Sequence, residues 1–282
     1  MCGFPILHLH KYLKVLVEKH KKCVAMCEEF LKEPLEGPKS GFDRRVVRII
    51  TPGTLIDEPF LNADENNYLL SVGTQGPIES TVQVVGLSWI DVSTGEFFTK
   101  EGTVENLRDE LVRIAPQEVV MDRYTASNSH LTAALEVMDQ EGIVLSLVTP
   151  RLAEQQTSGS LKNVEPDNSG LSESESAAVK LLTTFLHDNL LESMPRLAQP
   201  SKEFSEGRME IDSHTVRGLE IRESMREGGT AGSLLSVIKR TITPGGSRLL
   251  ARWLCRFTFV TPLTDCTDGP RERFPFHKTQ RD

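Results

Sequence analysis

Apolar residues recur at helical spacing over residues 9–20, at Leu9, Tyr12, Leu13, Leu16 and Val17, and predict an amphipathic helix. The run Cys23-Val24-Ala25-Met26-Cys27 predicts a short buried strand. Glu33–Gly41, rich in Pro, Gly and Lys, predicts a loop. Arg44–Ile50 is a basic, β-branched strand that stops at the turn signal Thr51-Pro52-Gly53-Thr54. From Asn67 to Lys100 the pattern becomes β. Strands are predicted over Tyr68–Val72, Val82–Val92 and Glu96–Thr99, with Ser93-Thr94-Gly95 as the turn between the last two. Helices over Val104–Ile114 and Ser129–Gln140 then alternate with strands over Glu118–Met121 and Ile143–Val148. A hairpin followed by strand–helix–strand–helix–strand predicts an α/β layer with some parallel pairing.

Residues 151–170 lose all periodicity and read as a linker of Gln, Ser, Asn, Gly and Glu. Ser172–Leu197 forms one long helical pattern, opened by a Ser172/Glu175 capping box and closed near Pro195. Glu203–Ile211 is extended. Asp212 and Ser213 cap a helix running to about Met225, broken at Gly228-Gly229. Ser233–Arg240 and Thr243–Arg256 are the last helices, with Pro244 in a first turn, where its missing N–H is harmless. Phe257–Asp282 shows no periodicity and reads as an irregular tail.

The formal net charge is -8, so the chain as a whole is not a basic nucleic-acid binder. The charge is uneven. Residues 101–175 carry fourteen acidic and five basic side chains, whereas residues 208–256 carry nine basic and five acidic ones. Phosphate contacts are therefore expected from the C-terminal part. The five cysteines are scattered, without CxxC spacing, and predict free thiols in a reducing compartment. No apolar stretch reaches the roughly 18 residues of a membrane span. Met1–His10 lacks a signal-peptide pattern and reads as the inside of a domain.

Two stretches carry a family resemblance. The first is Arg45-Val-Val-Arg-Ile-Ile-Thr-Pro-Gly-Thr-Leu-Ile-Asp-Glu58, continued by Leu61-Asn62, by Asn66-Asn67-Tyr68-Leu69-Leu70 and by Val85-Gly-Leu-Ser-Trp-Ile-Asp-Val-Ser-Thr-Gly-Glu-Phe-Phe98. It resembles the junction and connector domain of MutS mismatch-repair proteins. The second is Ile211-Asp-Ser-His-Thr-Val-Arg-Gly-Leu-Glu-Ile221 with Gly232–Leu254, similar to the start of the MutS core, or lever, domain. Gly3–Phe30 is similar to the end of the mismatch-recognition domain.

The resemblance implies an α/β fold. A short α/β remnant of the mismatch-recognition domain spans 1–42 and an RNase H-like connector 43–150. A linker at 151–170 and the start of an all-α core at 171–256 follow, then the tail 257–282. It also implies mismatched double-stranded DNA and a MutL-type protein as partners, and a homodimer in the intact family. ATP and Mg²⁺ serve the intact family, whereas no cofactor and no enzymatic activity are expected of this chain. The wording is closer to bacterial and mitochondrial members than to nuclear paralogues, which implies a mitochondrial location, with nucleus or cytoplasm as alternatives.

Three departures matter. The family's Phe-x-Glu mismatch wedge belongs near the N-terminus, and Phe204-Ser205-Glu206 lies between connector and core instead. No GxxxxGK[ST] string occurs, so no phosphate-cradling loop is encoded here. The resemblance stops at Cys255, and the tail is read as the product of a misplaced gene boundary.

No catalytic residue is assigned. Asp91 before a Thr-Gly turn, with Glu96 and Asp122, offers an alternative: a Mg²⁺-dependent RNase H-like nuclease, against a plain hairpin turn. A third reading is a module that binds MutL-type partners without DNA. Cys23 and Cys27 with His8, His10 and His20 could suggest zinc, against a strand carrying small thiols. The DNA-contact candidates are Arg44, Arg45 and Arg48 on the junction strand and Arg217, Arg222, Arg248 and Arg252 in the core segment, against solvated faces or internal ion pairs.

Overall fold

The computed structural model describes residues 3–31, 42–56, 62, 64–76, 78–79, 81–148, 170–203, 211–226 and 229–255. The loop expected at 33–41, nearly all of the linker, the Phe204-Ser205-Glu206 string and the tail lie outside the described residues.

The chain opens with α1 (Leu9–Lys14), which continues as a wider turn over Val15–Lys19. Strands β1 (Val24–Leu31) and β2 (Phe42–Ile50) pair antiparallel with a bulge at Met26/Cys27. The strand expected to be buried alternates instead. Cys23, Ala25 and Cys27 face out, while Val24 and Met26 turn toward a small core of Leu13, Val17, Ile50 and Leu55. A two-stranded sheet with one packed face leaves every second residue in solvent.

The central unit is a six-stranded mixed sheet. Its strands are β3 (Tyr68–Thr74), β4 (Val84–Asp91), β5 (Glu96–Thr103), β6 (Glu118–Asp122), β7 (Val144–Val148) and β8 (Ser201–Lys202). Their order is β7-β6-β3-β4-β5-β8. The β3–β4–β5 meander is antiparallel, and the β3–β6, β6–β7 and β5–β8 pairs are parallel. On one face, Leu70, Leu87, Trp89 and Met121 meet α2 (Leu107–Ile114) and α4 (Thr132–Gln140). On the other, Leu69, Ile90 and Val120 meet Val179, Leu182 and Leu186 of α5 (Glu173–Leu190). Strands covered on both faces are apolar without strict alternation, as Tyr68–Val72 is. The four-residue α3 (Arg123–Ala126) follows β6.

Helix α5 forms for the reason its sequence predicts: Ser172 and Glu175 make both bonds of a capping box. Its place differs from the expectation. Assigned by sequence to the core segment, it instead supplies the second helical layer of the α/β sheet. It also stops at Leu190, before Pro195, because Leu191 adopts a left-handed φ of 46° and the chain then runs out to β8. The remaining helices are α6 (Ser213–Gly218), α7 (Leu234–Ile238) and α8 (Pro244–Leu254). The helix expected to reach Met225 ends at Gly218. The chain turns at Glu220 (φ 49°), which lets Ile221, 1 % exposed, enter the core beside α2.

Two glycines set the distance between α5 and the sheet. A Cβ on Gly86 would stand 2.0 Å from Ser174 O, and one on Gly73 2.3 Å from Ala178 N. Gly86→Ala therefore has to lift a helix backbone and is expected to cost about 3 kcal/mol or more in urea unfolding. Gly102→Ala, whose Cβ meets only Leu87 Cδ1 at 3.6 Å, should leave stability nearly unchanged.

Candidate functional site

Two polar seams bind the α/β unit to the chain on either side of it. The N-terminal seam begins at the Thr51-Pro52-Gly53-Thr54 turn, where Thr51 N–H donates to Thr54 Oγ1 at 2.9 Å. Glu118, at the start of β6, lies beneath this turn with no solvent exposure. Its Oε2 accepts from Thr51 Oγ1 at 2.5 Å and Gly53 N–H at 2.9 Å, and its Oε1 accepts from Ser146 Oγ at 2.5 Å. Gly53 is needed for this approach, since a Cβ there would sit 2.6 Å from Leu69 Cδ1 and 3.1 Å from Glu118 Oε2. Lys21 reaches the same seam and donates to Gln117 Oε1 at 3.0 Å. Burial holds the Glu118 carboxyl above the usual carboxylate range, only partly countered by Ser146, Thr51, Gly53 and the Lys21 charge. Burial likewise lowers the Lys21 ammonium. A cleft of about 600 Å³ opens beside it, lined in part by Lys14, Lys21, Asn66, Asn67 and Gln117.

The C-terminal seam is built on α2. Glu110 pairs with Lys100 at 2.6 Å and with Arg113 at 2.5 Å, and Arg113 also approaches Glu203 at 3.3 Å. The Arg113 guanidinium lies 5.4 Å from the Trp89 ring centroid. Burial opposes the ionisation of Glu110, but Arg113 and Lys100 more than offset it and hold the carboxyl below its ordinary range. The helical segment docks onto this cluster. Arg222 donates to Arg113 O at 2.9 Å and to Cys255 Sγ at 3.2 Å, and Asp109 accepts from Ser213 N–H at 2.7 Å. Arg252 pairs with Glu96 at 3.3 Å above the Phe98 ring, and Tyr68 Oη donates to the same carboxylate at 3.0 Å. Burial and the Glu96 charge push the Tyr68 phenol well above its ordinary range. Arg217 pairs with Glu141, and Lys239 with Asp64 at 2.9 Å. A cleft of about 190 Å³ remains between the two parts, with Arg113, Arg222, Arg248 and Arg252 on its walls.

The basic candidates thus fall into two groups. Arg217, Arg222 and Arg252 engage the protein itself, and Arg248 lines the cleft beside them. Arg44, Arg45 and Arg48 lie on β2. Arg44 meets Glu29 at 2.6 Å in solvent, Arg45 stacks 4.1 Å from the Phe30 centroid, and Arg48 Nε contacts Met26 Sδ at 3.5 Å.

The carboxylate trio does not converge. Asp91 accepts from Asn67 N–H, Ser93 N–H and Ser93 Oγ and so sets the turn, while Asp122 caps α3 through Tyr124 N–H and Thr125 N–H. Glu96 holds Tyr68 and Arg252. Cys23 and Cys27 are exposed free thiols, and no three His, Cys, Asp or Glu side chains gather for a metal among the described residues. Sequence reasoning missed Glu118 and Glu110–Arg113. The only available signal was a charge inside an apolar strand or stripe, as in Glu118-Val-Val-Met121.

Two outcomes follow from these geometries. Glu118 binds its proton more tightly folded than unfolded, so its favourable contribution is complete below the ordinary carboxylate range and is lost as pH rises through the raised value. Glu118→Gln should flatten that part of the stability–pH curve in urea titrations. Glu118→Ala, which strands three donors, should cost about 3 kcal/mol in acid and less as the pH rises through the raised value. For Asp91, Asp91→Ala should lower stability by about 2 kcal/mol through the missing turn bonds. Mg²⁺ should not move the melting temperature. A Mg²⁺-dependent rise that Asp91→Asn abolishes would reverse this reading.

Comparison with known proteins places these seams between recognised units. The chain matches sequence models of MutS domain I over residues 1–59, MutS domain II over 67–198 and MutS domain III over 214–267. It is 36% identical over 262 residues to the DNA mismatch repair protein MutS of Roseobacter denitrificans, covering 89% of this chain and 28% of that protein. It is 35% identical over 269 residues to the protein of the same name from Rhodopseudomonas palustris (94% and 28% covered). It is 34% identical over 271 residues to that of Nitrobacter winogradskyi (94% and 30%). The chain spans less than a third of the length of these relatives. Three consecutive domain matches in the family's own order, with relatives of one name over nearly the whole chain, establish that the chain belongs to the MutS family.

Proposed function

We propose that this chain serves DNA mismatch repair as the section of a MutS protein that ties a DNA-contacting segment to the core. The observation that carries this reading is the pair of seams. The junction turn is locked onto Glu118, and the domain III segment is locked onto α2. Such a unit passes a change of angle at one end to the other, and ATP with Mg²⁺ would act elsewhere in an intact family member.

The sheet order supports an RNase H-like connector: an antiparallel meander followed by two parallel strands, with helices on both faces. The connector is best bounded from the junction strand to about residue 202, because α5 and β8 complete its second face and its edge. A fold of this kind does not bring nuclease chemistry with it. The three carboxylates in question are each engaged in turns, caps or ion pairs. A MutL-type protein is the partner expected at the connector surface, with a homodimer in the intact protein.

For direct DNA contact the reading favours Arg44, Arg45 and Arg48 over Arg217, Arg222 and Arg252: the ion pairs of Arg44 with Glu29 and of Arg45 with Asp43 lie open to solvent, whereas the latter three reach across to the α/β unit and are more covered. Fluorescence anisotropy with mismatched and fully paired duplexes tests this. Affinity should fall steeply with salt, and Arg44→Ala with Arg45→Ala should lower the logarithmic salt slope by about 1 for each phosphate no longer neutralised. Arg217→Ala should leave that slope unchanged. Binding that ignores salt, or that depends on Arg217 rather than Arg45, would overturn the assignment.

A further inference from the structure

Strand β7 is an outer strand of the six-stranded sheet, and no described strand pairs with its outer side. Val144 N–H donates to Gln117 O at 3.2 Å, toward β6. Main-chain direction alternates along a strand, so Val144, Ser146 and Val148 turn their N–H and C=O groups inward, and Leu145 and Leu147 turn theirs to the free side. No group among the described residues pairs with that side. Sheet edges are commonly blunted by a lysine, a proline or a bulge. Ile143-Val-Leu-Ser-Leu-Val148 contains none of them, and Leu147 is 47% exposed. The opposite edge is blunted by length, since β8 has two residues.

The strand sequence is also a palindrome, Val144-Leu145-Ser146-Leu147-Val148. We propose that β7 pairs antiparallel with β7 of a second copy of this chain, about a twofold axis through Ser146, joining two six-stranded sheets edge to edge. The palindrome makes this register self-complementary. Leu145 stands opposite the other copy's Leu147, Val144 opposite Val148, and Ser146 opposite Ser146. Leu145 and Leu147 are the residues with outward main-chain groups, so each pair exchanges two N–H···O bonds, about four in all. The exposed Leu147 side chain gains an apolar cross-strand neighbour, and no like charges meet. Ser146 keeps its inward bond to Glu118. An edge of five residues buries less than the standard interface, so the pairing is weak and shows at high protein concentration. This inference is independent of the repair function proposed above.

Sedimentation velocity of the full 282-residue chain tests it, run under reducing conditions across a micromolar-to-millimolar series. The unmodified chain should show a concentration-dependent monomer–dimer equilibrium. Leu147→Lys places two ammonium groups in the register and should weaken dimerisation by about tenfold or more, with an unchanged circular-dichroism melting curve. Val237→Lys, at an exposed apolar position of α7, should leave the equilibrium as it was. A chain that stays monomeric throughout overturns the proposal. So does dimerisation that survives Leu147→Lys or is abolished in Val237→Lys.

Discussion

Helix α5 lies on the sheet almost backbone to backbone, because Gly73 and Gly86 place no side chain between them. Ser71 Oγ uses the same closeness to donate to Ala178 O at 2.8 Å. Much else depends on this contact. It lowers Val179, Leu182 and Leu186 onto Leu69, Ile90 and Val120, so both faces of the central strands are dry. It buries Glu175 completely, where the carboxylate closes the capping box and accepts from Lys202 Nζ at 2.7 Å. Lys202 belongs to β8, so the cap of a helix fixes the last strand of the sheet. That strand in turn delivers Glu203 to Arg113. A helix standing off by one more side-chain layer would lose the second core, the edge strand and one partner of Arg113 together.

The two seams use charge where the central unit uses apolar area. Glu110 is buried and Arg113 is largely covered beside it, and an ion pair withdrawn from water adds little net stability once desolvation is counted. Its effect is felt when one partner is removed, because the other is then left charged in a dry place. Such contacts specify geometry more than they add strength. The surface pairs Arg44–Glu29 and Arg217–Glu141 contribute less still, since water competes for both partners. Among the described residues, the helical segment adds Val216, Ile221 and Cys255 as buried apolar residues in the α2 core. Its position is therefore set mainly by hydrogen-bonded arginines with fixed donor directions.

The sheet and its helices were legible because period and punctuation agreed. The β3–β7 strands, the α2 stripe of Leu107, Leu111 and Ile114, the Ser172/Glu175 box and the Pro244 first turn all stand where the residues suggested. Helix ends were less legible. Leu191 and Glu220 take left-handed conformations that no glycine announces, and tertiary demands decide them: a path to β8 in one case and the burial of Ile221 in the other. The placement of α5 was hidden for a different reason. Its signal was two glycines in strands about a hundred residues upstream, and their role exists only once the helix is laid across them. The arginines of 208–256 suggested phosphate by composition, but composition cannot separate a guanidinium aimed at DNA from one aimed at Arg113 O or Glu96.

Both seams attach to one short connection. Arg113 lies in the last turn of α2 and receives the helical segment, while Gln117, just before β6, and Glu118, its first residue, receive Lys21 and the junction turn. Between them lie Ile114, Ala115 and Pro116. Ala115 has a φ of 51°, a conformation that costs a non-glycine residue about 1–2 kcal/mol, and Pro116 has its φ set by its ring. Gln117 is pinned on both sides: its N–H donates to Tyr68 O at 2.9 Å and its C=O accepts from Val144 N–H. The connection is therefore held from its neighbours rather than by its own preference. On the proposed reading, a rotation of the junction turn would pull on Glu118, and the restrained residues 114–117 would carry that pull to Arg113 and the carbonyl that Arg222 holds. Coupling between the two ends then needs no extended pathway through the sheet, only the stiffness of four residues that two strands and a proline already restrain.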